Sequence, residues 1–124
     1  MKKIVINLLI YLSTLYSQDL TTYVLCEGNF GNANSSLWSF NNLTEGEING
    51  PIHWDENSNP LGDVGQSMTI NDDKLYIVMN NSHTIEVMNL SSGIASYDTT
   101  LNLPNASPRY MTIKNNYGYL SCWN

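Results

Sequence analysis

The chain has 124 residues, 42% of them hydrophobic and only 13% charged, with eleven acidic side chains against five basic ones and a formal net charge of −6. That composition fits one ordinary folded domain rather than a disordered chain. An acidic surface also excludes a nucleic-acid partner held by charge, because it would repel the phosphates.

Residues 1–17 stand apart from the rest. Lys2 and Lys3 make a short basic head, Ile4 to Leu15 is almost wholly apolar, and Leu15-Tyr16-Ser17 offers a place for cleavage. This is the plan of a secretory signal peptide. The apolar run falls short of the roughly 20 residues a membrane-crossing helix needs. The expectation is an exported protein in the periplasm, at the cell surface or outside the cell, with no transmembrane span after cleavage. The cleaved chain would keep three basic residues against eleven acidic ones.

The elements predicted for residues 18–124 are short strands and turns. Thr22 to Cys26 is a β-branched and aromatic run that stops at the Gly- and Asn-rich loop Glu27 to Asn34. The strand resumes over Ser35 to Asn41, with Leu37 and Trp38 on opposite faces, and Asn42 to Gly46 turns the chain. Ile48 to Trp54 reads as an outer strand weakened by Gly50 and Pro51, since proline belongs at sheet edges. Asp55 to Gly65 reads as a long loop. Strands then follow at Gln66 to Ile70 and Leu75 to Met79, joined by the polar hairpin Asn71 to Lys74. After a short turn at Asn80 to Ser82 comes the strand His83 to Leu90, in which Ile85 and Val87 alternate with Glu86 and Met88. Ser91-Ser92-Gly93 turns into an outer strand over Ser96 to Leu101. Asn102 to Pro108 crosses to two further strands, Tyr110 to Ile113 and Tyr117 to Cys122. No segment after residue 17 carries the period of an amphipathic helix, so the expected content is almost entirely β.

These strands repeat. Met68-Thr69-Ile70 returns forty-three residues later as Met111-Thr112-Ile113, and at the same spacing Tyr76-Ile77 returns as Tyr119-Leu120. Tyr23 to Cys26 matches Tyr76 to Met79 at a spacing of fifty-three. A repeat of roughly 40–45 residues built from short strands and tight turns is the signature of a β-propeller blade. The fold class read from the sequence is therefore all-β: a β-propeller of four-stranded antiparallel blades, with residues 18–124 forming an N-terminal fragment of about two and a half blades. Cys26 and Cys122 fall at one strand position in blades that are not neighbours, beyond the roughly 7 Å that a disulfide tolerates. They are expected to be free and mostly buried.

The segments Tyr23 to Gly31, Asn59 to Ile70, Lys74 to Val87 and Ser107 to Ile113, in that order, resemble the exported YVTN or YncE-like seven-bladed propellers, in particular Bacteroidetes-type surface proteins. The resemblance implies a non-catalytic binding or scaffold protein, and some relatives of that kind capture cobalamin for an outer-membrane transporter. Cys26 stands where the family's opening strand usually has a polar residue, and no lipid-attachment cysteine follows the leader.

Function in such scaffolds usually sits on irregular loops. The long loops Glu27 to Asn34, Asp55 to Gly65, Asn80 to Ser82 and Asn102 to Pro108 belong to one end of the strands, together with Trp123-Asn124. The short polar hairpins belong to the other end. Candidate ligand-binding residues are Arg109, the one arginine of the chain and a bidentate partner for carboxylate or phosphate; the aromatic Tyr110, Trp123 and Phe30; and Asp63, Asn80 and Asn81, whose side chains also serve to fix turns. His53 and His83 lack partners at metal-ligand spacing, so no metal or cofactor is expected. The partner class is a small molecule or a surface protein. The competing class is a lactonase-like hydrolase whose catalytic groups lie in further blades.

Overall fold

The computed structural model describes residues 21–41 and 46–123. The expected leader at 1–17, most of the expected turn at 42–46 and Asn124 lie outside the described residues. Among the described residues, strands form three open antiparallel sheets. The first holds β1 (Thr21–Cys26), β2 (Ser36–Asn41) and β3 (Glu47–Asn49). The second holds β4 (Gly65–Asn71), β5 (Lys74–Met79), β6 (Thr84–Asn89) and β7 (Ser96–Asn102), and the third holds β8 (Ser107–Lys114) and β9 (Tyr117–Trp123). Within each sheet a strand pairs with its successor in the chain. Connections of a few residues permit that antiparallel arrangement and no crossover.

The forty-three-residue repeat is real in three dimensions. The register of β4 on β5 breaks between Gly65 and Ser67, and that of β8 on β9 breaks at the equivalent place, between Pro108 and Tyr110. Each hairpin closes through two residues, Asp72-Asp73 and Asn115-Asn116. Asn115 and Asn116 both take positive φ, 51° and 63°. Asparagine tolerates that region, which a turn matching the right-handed strand twist requires.

The second sheet lies between the other two. On one of its faces Leu75, Ile77, Met79 and Met88 are buried in a core completed by Leu37 of β2, Ile52 and Leu61, with Tyr23 and Leu25 of β1 packed alongside. On the other face Ser67 and Thr69 donate hydroxyl hydrogen bonds to the backbone carbonyls of Arg109 (2.8 Å) and Met111 (2.7 Å), which fastens β8 onto β4. Covering both faces explains a departure from the expected alternation. All of Ile85, Glu86, Val87 and Met88 are buried, whichever face they point to.

At Gly65 the second sheet packs tightly on Leu25 of the first. A Cβ there would stand 2.8 Å from Leu25 Cδ1 and 3.0 Å from its Cγ. Gly65→Ala is expected to destabilise the protein by about 1–2 kcal/mol through overpacking, read as a lower urea midpoint. Adding Leu25→Ala should bring a smaller loss than the two single changes summed, because the second removes what the first strikes.

Two expectations are corrected. The stretch Ile48 to Trp54 is no outer strand. β3 ends at Asn49 and the chain forms a helix, α1 (Ile52–Asn57), so the expected loop from Asp55 begins inside it. Pro51 stands before its first turn. Ser58 closes it in the left-handed conformation (φ 55°) and donates its N–H to the Trp54 carbonyl at 2.8 Å. α1 exists because Ile52 and His53 bury against the sheets, a tertiary gain that outweighs weak local signals. The cysteines are free as expected, yet both are exposed. Met79, at the equivalent strand position, is fully buried because it lies in the middle sheet, whereas β1 and β9 lie in the flanking ones.

Candidate functional site

The irregular segments at one end of the sheets are tied together by polar contacts centred on Asp63. This residue is 7% exposed. Its carboxylate accepts the Gly31 N–H at 3.1 and 2.8 Å and the Asn81 side-chain amide at 2.6 Å. Its backbone N–H donates to Ser82 Oγ at 2.7 Å and its carbonyl accepts the Asn81 N–H at 3.2 Å. Around this point Ser35 donates its N–H to the Gly62 carbonyl and its hydroxyl to the Glu27 carbonyl, while Asn80 donates its N–H to the Val64 carbonyl. Asn80 also donates its side-chain amide to the Pro108 carbonyl at 2.8 Å. His83 extends the tie to the crossing that ends at Pro108, through its carbonyl to the Leu103 N–H and through Nδ1 to the Ala106 carbonyl. Charge-assisted bonds to a sheltered carboxylate are the strong kind.

Of the residues singled out in the sequence, Asp63, Asn80 and Asn81 thus serve the turn-fixing use, with the Asp63 carboxylate turned to its own chain. Arg109 pairs with neither Asp63 nor Glu27 as a salt bridge. Its Cζ lies 3.7 Å from the centroid of the Trp123 ring, a cation–π contact. Trp123 is 63% exposed and Tyr110 61%, and Phe30, on the first loop, is 76% exposed. These aromatic surfaces are therefore the members of the set most presented to solvent, with Arg109 half-buried against Trp123.

Sequence reasoning missed a cleft at the same end. It has a volume of ≈ 320 Å³ and lies between the start of β2, α1 and the segment leading to β4, lined by Ala33, Leu37, Pro51, Trp54, Pro60 and Leu61 among others. His53, 3% exposed, borders it. Its Nδ1 lies 3.2 Å from the Asn59 carbonyl, its Nε2 lies 3.7 Å from Glu86 Oε2, and its ring meets Tyr97 edge-on at 5.5 Å. Nε2 is buried without a hydrogen-bond partner among the described residues. Glu86, 5% exposed, also accepts from the Thr100 hydroxyl, which lies 3.1 Å from Tyr97 Oη. Burial pushes the Glu86 carboxyl up, but the hydrogen bond from Thr100, with His53 and Thr84 close by, outweighs it and holds the group below its ordinary value. The only advance signals were Ile52, in the segment that reads as an outer strand, and Leu61, an apolar residue in the stretch that reads as loop.

The chain matches no protein-family model and no curated protein. Among the described residues no three His, Cys, Asp or Glu side chains group to hold a metal ion, and no helix is long and apolar enough to cross a membrane.

Proposed function

We propose that the chain is part of an exported β-propeller that binds a ligand or protein partner without covalent chemistry, through the irregular loops at one end of its blades. The carrying observation is the contrast between the two ends. One has loops clasped around Asp63 with Arg109, Tyr110, Trp123 and Phe30 beside them; the other has the two-residue turns of β4–β5 and β8–β9 and the six-residue connection of β6 to β7. Rigid positioning of irregular backbone is what a binding surface needs, because loops ordered beforehand lose less freedom when a ligand arrives.

The blade reading is supported by the way the repeat stacks. Ser67 and Thr69 hold the third sheet on one face of the second. The repeat equivalents Tyr110 and Thr112 on β8, with Tyr119 on β9, are exposed. Further blades would cover that face. Export follows from the leader, and capture of a nutrient such as a cobalamin follows from the family resemblance.

Titration of the protein with cyanocobalamin, read by calorimetry, tests the reading. Arg109→Ala is expected to weaken binding at least tenfold, and Lys114→Ala at the opposite end to leave it unchanged. Binding abolished by the Lys114 change and kept by the Arg109 change would put the site at the wrong end. No binding at all would remove cobalamins as the ligand class.

A further inference from the structure

We infer that the cleft between β2, α1 and the Pro60-Leu61 segment is a binding site for a small uncharged aromatic molecule, of one or two fused rings. The inference rests on reading this end of the sheets as the binding end and adds to it a place and a ligand chemistry. The volume, ≈ 320 Å³, is at the small end of the range for ligand pockets. It accommodates a ring compound and not a folded partner. The lining is mainly apolar, with Leu37 and Leu61 at 0% and 3% exposure forming its fixed part and Trp54 offering an indole that is 52% exposed.

The polar atoms around the cleft are largely engaged within the chain. Ser35 Oγ donates to the Glu27 carbonyl and accepts the Gly65 N–H, and Ser36 Oγ accepts the Trp38 indole N–H at 2.9 Å. Asn34 Oδ1 accepts the Asn29 N–H at 2.7 Å, and His53 Nδ1 faces the Asn59 carbonyl. A ligand rich in hydrogen-bonding groups would lose its water there and gain few partners. An anion is disfavoured further, since the lining holds no lysine or arginine while Asp55 and Glu56 follow Trp54 on α1. An aromatic ring, by contrast, gains stacking on Trp54 beyond simple burial.

The test uses indole as probe and indole-3-acetate as its anionic counterpart, titrated into the protein and read by calorimetry and by amide chemical shifts. Saturable indole binding is expected, with the largest shifts at Ala33, Ser36 and Leu61 and with indole-3-acetate at least fivefold weaker. Trp54→Ala should weaken indole binding roughly tenfold, while Ile94→Ala, on an exposed side chain away from the cleft, should not alter it. Indole shifts that do not saturate, or that fall outside the cleft, would overturn the inference. So would an affinity unchanged by Trp54→Ala in a variant whose amide spectrum shows it folded. Indole binding lost in Arg109→Ala and kept in Trp54→Ala would overturn the cleft while leaving the loop-end reading intact.

Discussion

His53→Ala is expected to lower the free energy of unfolding by about 2–5 kcal/mol, the range seen when a large buried side chain is cut back to alanine and a cavity is left. Glu86 sits on the same face of the second sheet as Ile77 and Met88, in the middle of the apolar core. A carboxylate there is tolerable only with partners: the Thr100 hydroxyl donates to it, and α1 carries His53 to within 3.7 Å of it. Removing it leaves the Thr100 hydroxyl to hold a buried anion, and a space where the ring met Tyr97. Glu86→Gln added to His53→Ala should recover part of the loss, because the uncharged amide is less costly to bury.

The pair also sets an acid sensitivity. Glu86 is held below its ordinary value of 4.5 in the folded protein. Its stabilising contribution is therefore complete above that unfolded-state value and is lost as pH falls through the lower folded-state value. Urea unfolding of the parent protein at a series of pH values below about 4.5 should show stability falling, and Glu86→Gln should flatten that part of the curve. A Glu86→Gln curve parallel to that of the parent would mean the carboxylate is not stabilised by its neighbours.

Asp63→Ala is expected to cost about 2–4 kcal/mol and to loosen the whole loop end. The carboxylate takes three contacts from two donors, the Gly31 N–H and the Asn81 amide, and hydrogen bonds to a charged group contribute about 1.5–3 kcal/mol each. Alanine leaves both donors without the acceptor and adds none. Asp63→Asn, which keeps one acceptor oxygen, should cost roughly half as much. Thermal unfolding of the two variants checks the order, and equal losses would show that the backbone contacts of residue 63 hold the clasp.

Legibility in the sequence followed the range of the interactions. The strands and polar hairpins were readable because β-branched runs and Asn-rich turns are local signals, and the forty-three-residue spacing even carries the matched register breaks at Gly65 and Pro108. α1 was not readable. Its six residues make under two turns, too few to show a period, and it forms because Ile52 and His53 find a core brought to them by other segments. Glu86 belongs to a strand read as alternating, and only a sheet covered on both sides makes every position from Ile85 to Met88 internal. The loop end was legible as a place, from its Gly, Asn and Pro content. The roles within it were not, since Asp63 meets Gly31 from 32 residues away and Asn81 from 18. The thiols follow the same rule: strand position was readable, while exposure depends on which sheet is flanked.

Site-resolved amide hydrogen exchange on the parent protein and on Asp63→Ala tests most directly whether stacked repeats carry one clasped loop end. Slowest exchange is expected for β5 and β6 in both proteins, with Gly31, Ser35 and Asn81 losing protection together in the variant and Lys74 and Tyr117 beside the opposite turns unchanged. Loss of protection at Gly31 alone, or β5 amides exchanging as fast as those of β9, would contradict it.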